Sequence, residues 1–341
     1  MHAQTTVNLS VATLSFLIYN AEIMLSLIHR FAMLISALYP VMPFIALFLA
    51  LMMPDIFSPL GMHGVWFIAA IFFFSSLKVD GVKVLKQLTD IRMLFTTTAM
   101  MLFVFPALVY WVLSAMGSSL ALPLMILAAL PAGMTSPLLV ELAGGRPSLA
   151  MVITTVTSLL APFTIPIVIK LLAGTVVQVS VGAMMLSLSK VIFIPFFLAQ
   201  FIRHTVNEQK IGNASFLFKP ISVVLLGMLI AGVVARQSGP IISGIYDGTT
   251  FVLMAKLTLF FIVLHILGYF SLFWRDSRDK VTASICLTYM NFTLGILLAD
   301  QYFNMPSVVI PVVLAVVPWA LLFVPFRYTV VRLGLISAEK D

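Results

Sequence analysis

Runs of about twenty mostly apolar residues, the length needed to cross the hydrocarbon core of a bilayer, recur along this chain with only short connections between them. Ten such spans are read, at about 33–54, 63–80, 92–114, 121–143, 149–173, 183–203, 217–235, 250–274, 281–303 and 305–327. Only 9% of the residues are charged, whereas 62% are hydrophobic. A soluble domain carries roughly 25% charged residues, so this chain has too little charge to coat a water-facing surface of its size. Lipid must cover most of it, and apolar runs of this length satisfy their backbone in lipid as helices. The fold class that follows is all-α integral membrane, with no room between spans for a soluble domain.

The ten spans divide the chain into an N-terminal segment (1–32), a first group of five (33–174), a second group of five (183–328) and a tail (329–341). Each half holds an odd number of spans, so the second half must enter the membrane upside down relative to the first. That is the plan of two inverted five-helix repeats. Residues 11–30 are apolar but include Asn20, Glu22 and Arg30. A lone carboxylate in lipid is costly, so an interfacial helix is favoured over an extra span. Residues 1–10 do not read as a signal peptide.

Charge placement gives an orientation. Arg30, Lys78, Lys83, Lys86, Arg92, Arg146, Arg203, Lys210, Lys219, Arg275, Arg278, Lys280, Arg327, Arg332 and Lys340 fall on one side, and Lys170, Lys190, Arg236 and Lys256 on the other, 15 against 4. The positive-inside rule puts the first side, with both termini, in the cytoplasm. The net charge of +7 then reflects loops and contact with anionic lipid rather than nucleic acid. A cell inner membrane is the expected location.

The fourth span of each half is interrupted. In the first half the interruption is Pro131-Ala132-Gly133-Met134-Thr135-Ser136-Pro137, and in the second it is Thr288-Tyr289-Met290-Asn291-Phe292-Thr293-Leu294-Gly295. Pro131 and Pro137 remove backbone donors and clash with the preceding turn, while Gly133 lets the chain bend. Such residues also kink ordinary membrane helices. Their occurrence in corresponding spans of two halves points instead to unwound backbone lining a cavity, with half-helix N-termini aimed at anions and free carbonyls at cations. Thr135, Ser136, Thr288, Asn291 and Thr293 add polar side chains at that depth and are the candidate substrate ligands. Pro131, Gly133, Pro137 and Gly295 are the structural residues of the breaks.

Glu141 is the one carboxylate well inside a core span. It is either a cation or proton site or a helix-end residue reaching Arg146 or water. Asp300 reads as interfacial, and Lys170 and Lys190 as snorkelling. In Thr154-Thr155-Val156-Thr157-Ser158 the hydroxyls cover most of a helix circumference, so at least one must face the bundle interior. The single cysteine, Cys286, and five scattered histidines offer no disulfide, metal site or iron–sulfur cage. No Gly-rich phosphate loop marks an ATP-driven pump.

The stretch from Pro131 to Pro166 (PAGMTSPLLVELAGGRPSLAMVITTVTSLLAPFTIP) resembles the signature of the bile acid:sodium symporter family. Phe74–Leu88, Phe105-Pro106-Ala107 and Met290–Gly295 resemble further family motifs, and the likeness runs over roughly 33–328. It implies ten helices, with a panel domain of spans 1, 2, 6 and 7 and a core domain of the rest, in which broken helices 4 and 9 cross. It also implies alternating access for an organic anion, often driven by sodium. The chain departs from the sodium-coupled pattern. Pro137 replaces an Asn, Cys286 a Glu, and Met290 and Met101 a Gln each, leaving Ser136, Thr154 and Asn291 polar at matching positions. Sodium prefers hard oxygen ligands, so family-type sodium sites look dismantled.

The preferred reading is a secondary transporter of a small organic anion, embedded in the lipid bilayer. It needs no cofactor, with Na+ or H+ as candidate coupling ion and Glu141, Ser136, Thr154, Thr155 and Asn291 as candidate coupling residues. One rival is an efflux carrier of the arsenite type, against which the ninth-span position of Cys286 counts. A rival of another class is a membrane enzyme or a non-transporting receptor. His265 is the only histidine well inside a span, and no second group pairs with it as a nucleophile's partner would.

Overall fold

A computed structural model describes residues 11–79, 91–175 and 180–336. Lys83, Lys86, Lys340 and the later part of the Phe74–Leu88 motif lie outside the described residues. Helix α1 (Val11–Ala37) runs without a break through the expected boundary at residue 32. The first expected span is not one helix. The chain turns at 38–41 and resumes as α2 (Met42–Met52), bent by 83° from the end of α1. Pro40 and Pro43 account for the turn, since neither can donate to the preceding carbonyls. Short turns over Pro54–Phe57 and Ser58–His63 lead into α3 (Gly64–Ser76), so the second span lies earlier than expected, over Pro54–Ser76.

Helix α4 (Ile91–Ala99) passes through a widened turn at Met100–Val104 into α5 (Phe105–Ala115). Pro106 has no N–H for Leu102, and the Phe105 N–H reaches back to Met100 instead, so the turn absorbs the missing donor. The expected fourth span is two short helices, α6 (Ala121–Ala128) and α7 (Ser136–Leu142). Helix α8 (Pro147–Ala173) is continuous despite Pro162 and Pro166, and α9 (Val181–Thr205) and α10 (Phe218–Arg236) follow. Helix α11 (Thr249–Phe270) precedes the ninth span, again in two pieces: α12 (Ser277–Thr288) and α13 (Phe292–Leu298), the latter extended by a wide turn at Ala299–Phe303. The chain ends in α14 (Pro306–Leu314) and two further segments, Val316–Leu321 and Phe323–Arg332.

Among the described residues seven helices are long and apolar enough to cross a membrane, or eight if the bent α1–α2 pair counts as one span. This is a multi-pass, all-helical membrane protein. Helix α10 packs along α2 and α3, and α9 along α3. A second group forms around the broken spans: α5 lies on α6, α7 on α8, and α12 on α11, α8 and α7. Helix α8 also runs beside α9 and so joins the two groups.

Where the fourth span returns at Gly144–Arg146 it docks on the start of α12. Asp279 is almost fully buried there. Its carboxylate meets Arg146 at 2.9 Å and Arg275 at 2.7 Å, and Arg146 also pairs with Asp276. Asp276 caps α12 by accepting from the Asp279 N–H, and Thr282 Oγ1 accepts from the Arg146 N–H at 2.8 Å. A buried carboxylate needs such partners to remain charged.

Candidate functional site

The two breaks meet each other. Ala132 and Met290 form an isolated antiparallel bridge, in which the Gly133 N–H donates to the Tyr289 carbonyl and the Asn291 N–H to the Pro131 carbonyl, both at 2.8 Å. Each break therefore supplies the partners that the other lost. The approach is too close for a side chain at Gly133, where a Cβ would stand 2.6 Å from the Tyr289 oxygen. A Cβ at Gly295 would meet Leu130 at 2.7 Å, so this glycine packs α13 against the end of the fourth span.

The unwound stretches are shorter than the sequence suggests. Ser136 and Pro137 already belong to the first turn of α7, and α13 begins at Phe292. Three carbonyls of the breaks, those of Pro131, Gly133 and Tyr289, are already engaged within the protein. Tyr289 O accepts from Gly133 and from Ser136 Oγ, and Gly133 O accepts from Ser136 N. From α8, Thr157 Oγ1 accepts from the Ala132 N–H while donating to Ile153. Thr154, Thr157 and Ser158 of the hydroxyl run are buried, and Thr157 supports the break directly, with Thr154 Oγ1 3.5 Å from the Gly133 carbonyl.

Beside the crossing lies a cavity of about 350 Å³. One wall comes from α3 and α10, through Phe72, Ser75, Val223, Leu226 and Ile230. The other comes from the two breaks and α8. Thr135, Thr154, Thr155, Asn291 and Thr293 all line it, so five predicted residues are brought together. Ser136 and Thr288 are buried outside the lining. The Ser136 hydroxyl is committed to Tyr289, and that of Thr288 has no partner among the described residues. Glu141 is exposed near the end of α7, away from the cavity, and the short ion pairs of Arg146 go to Asp276 and Asp279. Cys286 is fully buried behind the crossing and does not line the cavity.

Tyr39, Lys78 and Lys219 also line the cavity and were not singled out as ligands from the sequence. Both lysines are exposed, at the mouth of the cavity. The Lys219 ammonium lies 5.9 Å from the centre of the Tyr39 ring, within cation–π range. Tyr39 comes from the turn between α1 and α2 and donates to Thr135 Oγ1 across the cavity at 3.3 Å. Lys78 stands past the end of α3. Partial desolvation and then the neighbouring Lys219 charge lower its pKa from the ordinary lysine value. Among the described residues no carboxylate lines this cavity.

The neutral donors are largely occupied. Thr155 donates to Met151, Ser222 to Phe218 and Thr293 to Asn291 Oδ1. Asn291 Oδ1 also caps α13 by accepting from the Leu294 N–H. Its amide N–H groups have no partner among the described residues. What the cavity offers a ligand is two ammonium groups, the Asn291 amide, the hydroxyls of Thr135 and Ser75, and a large apolar surface.

The SBF-like CPA transporter family model matches residues 31–322, most of the chain. The chain belongs to this family. The SBF-like assignment agrees with the resemblance to bile acid:sodium symporters carried by the Pro131–Pro166 stretch. A search of curated proteins returns no match to the chain. The resemblance to the sodium-coupled pattern draws attention to Met101, Cys286 and Met290. All three are buried in the apolar core. Among the described residues no three His, Cys, Asp or Glu side chains cluster to hold a metal ion.

Proposed function

We propose that this SBF-like transporter is a secondary carrier of a small organic anion. The anion's acidic group would lie between Lys78, Lys219 and the Asn291 amide, and its apolar body against Phe72, Leu226 and Trp319. The observation that carries this reading is the pairing of two ammonium groups, with no lining carboxylate among the described residues, in a cavity beside the crossed breaks. Uncompensated cations at a partly apolar cleft attract anions from solution and hold them by charge-assisted hydrogen bonds.

The architecture that goes with it is ten spans, counting the bent first span and the broken fourth and ninth. They form two inverted repeats, with a panel of spans 1, 2, 6 and 7 beside a core of the other six. The separate packing of α2, α3, α9 and α10 supports the panel. The antiparallel meeting of the two breaks supports the crossing. Alternating access would then move the core against the panel around the cavity between them. The lysine mouth is taken as cytoplasmic, in line with the charge bias of the loops.

Sodium coupling in the family's manner is not part of this proposal. The carbonyls of Pro131, Gly133 and Tyr289 already accept hydrogen bonds, and the resemblance puts Met101, Cys286 and Met290 where the sodium-coupled pattern has hard ligands. Counterflow of labelled organic anions into sealed proteoliposomes tests the reading. Exchange that needs no sodium and is lost when Lys78 and Lys219 are both changed to Gln supports it. Exchange that persists in that double variant contradicts the site, and binding without exchange would make the protein a receptor.

A further inference from the structure

The cavity lining runs along α10 from the exposed Lys219 to the buried Ile230, and beyond Ile230 an ion pair joins the two helix groups. Arg236, the last residue of α10, donates from Nη2 to Asp300 Oδ1 at 2.6 Å. Asp300 lies in the wide turn that ends the ninth span, so the pair joins the α2–α3–α10 group to the broken-helix group. Its carboxylate is only 9% exposed, and the Arg236 side chain 33%. The closing contact is built deliberately close. The guanidinium lies on Gly61, where a Cβ would stand 2.5 Å from its Cζ, Nε and Nη2. Gly61 in turn touches Gly232, whose Cβ would meet the Gly61 nitrogen at 2.5 Å. Two glycines thus make the slot through which Arg236 reaches the opposite group.

The pair also sits just past the floor of the cavity. Ile230 and Ile296 are buried lining residues, six residues before Arg236 and four before Asp300. At about 1.5 Å per residue the floor and the pair are separated by less than about 10 Å of helix. Nothing in the anion site uses either residue.

We propose that Arg236 and Asp300 form the gate that keeps the end of the cavity opposite the lysines shut, and that the pair must part for the cavity to open on that side. The proposal rests on the carrier reading above, because a gate has a role only if the cavity opens alternately to both sides. A charge pair with a near-buried carboxylate and a partly exposed guanidinium suits the task. It holds the closed arrangement while both charges meet, and on opening both charges regain water, so the two states can lie close in free energy.

The test is the sidedness of a single engineered cysteine. Leu226 lines the cavity and takes no part in the polar site, and the native Cys286 is fully buried and serves as the silent background. Leu226→Cys is labelled with a membrane-impermeant maleimide in right-side-out and in inside-out vesicles. With the native pair, labelling is expected from the lysine side. With Arg236→Gln or Asp300→Asn, labelling from the opposite side should rise about tenfold, as the open population grows. The charge exchange Arg236→Asp with Asp300→Arg should return it towards the native value. Unchanged opposite-side labelling in the single variants, with lysine-side labelling intact as evidence of folding, overturns the gate. So does an exchange that fails to restore closure. Should the Gln variant not accumulate, Arg236→Lys keeps the charge and must keep the native sidedness; loss of sidedness there counts equally against the pair.

Thermal shifts with organic anions on the native chain and on the gate variants with Leu226 retained separate the two ideas. If labelling responds as expected but no anion ever stabilises the protein, the gate stands and the substrate reading falls. If anions bind through the lysines and labelling does not respond, only the gate falls.

Discussion

Helix α10 carries a cation at each end, and the two meet their surroundings in opposite ways. Near its start Lys219 projects into a cavity beside Lys78, with no carboxylate among the described residues lining it. At its end Arg236 lies in a glycine slot and is neutralised by Asp300 at 2.6 Å. A charge left unpaired at a cleft is available to a ligand. A charge paired across the junction of two helix groups holds that junction closed. The same contrast separates Arg236–Asp300 from the Arg146–Asp276–Asp279–Arg275 cluster. That cluster ties α12 to the loop before α8 within one group of helices, so it can remain intact while the groups move.

The contrast can be broken most severely at the lysine end. Replacing Lys78 and Lys219 together by Gln should weaken anion binding by about a hundredfold or more, since two charge-assisted contacts of about 1.5–3 kcal/mol each are removed. Isothermal titration with the best-stabilising anion measures it. Asn291→Asp places a negative charge where the account needs a donor. It should cost about tenfold in affinity while keeping the cap on α13, because an Asp carboxylate also accepts from the Leu294 N–H.

At the Arg236 end Gly61→Ala puts a methyl group where the guanidinium lies. It should raise opposite-side labelling of Leu226→Cys several-fold through displacement of Arg236, a population shift of about 1 kcal/mol. The pH dependence is a finer probe. Lys78 has a lowered pKa, so its positive charge is present at neutral pH and is lost at a lower alkaline pH than that of an ordinary lysine. Anion affinity should fall over that range, and Lys78→Arg should move the fall upward. The smallest effect is expected from Glu141→Gln. Glu141 is exposed and away from the cavity, so the variant should keep the native pH profile of transport.

Much of this was legible before the structure. Long apolar runs announce membrane helices because lipid leaves the backbone no alternative, and Pro131 with Gly133 announces a break because both act on the local hydrogen bonds. The bend at Pro40 was in plain view, but the apolar run around it concealed it. The extent of the breaks was overread: Pro137 can sit in the first turn of a helix without disrupting it, and it does so in α7.

The cavity was the least legible part. Its lining runs from Tyr39 to Trp319, and no local pattern brings such residues together. Lys78 and Lys219 counted towards orientation, as lysines flanking a span usually do; that they share one cavity appears only when α3 and α10 are placed side by side. Glu141 allowed two readings from the sequence, a coupling site or a helix-end residue, and the structure places it at the exposed end of the short α7, in line with the second. Asp279 went unremarked for the opposite reason. It lies before the ninth apolar run, where charge is ordinary, yet the structure buries it.

The central claim is that an organic anion is held by the two lysines without help from sodium. Thermal unfolding of the purified protein in detergent tests it directly, with a panel of organic anions in sodium and in potassium, for the native chain and the Lys78→Gln, Lys219→Gln variant. A ligand that binds the folded state raises the melting temperature by mass action. The account predicts that at least one anion stabilises the native chain equally in both salts and leaves the double variant unmoved. Stabilisation that requires sodium, or that persists undiminished in the double variant, would contradict it.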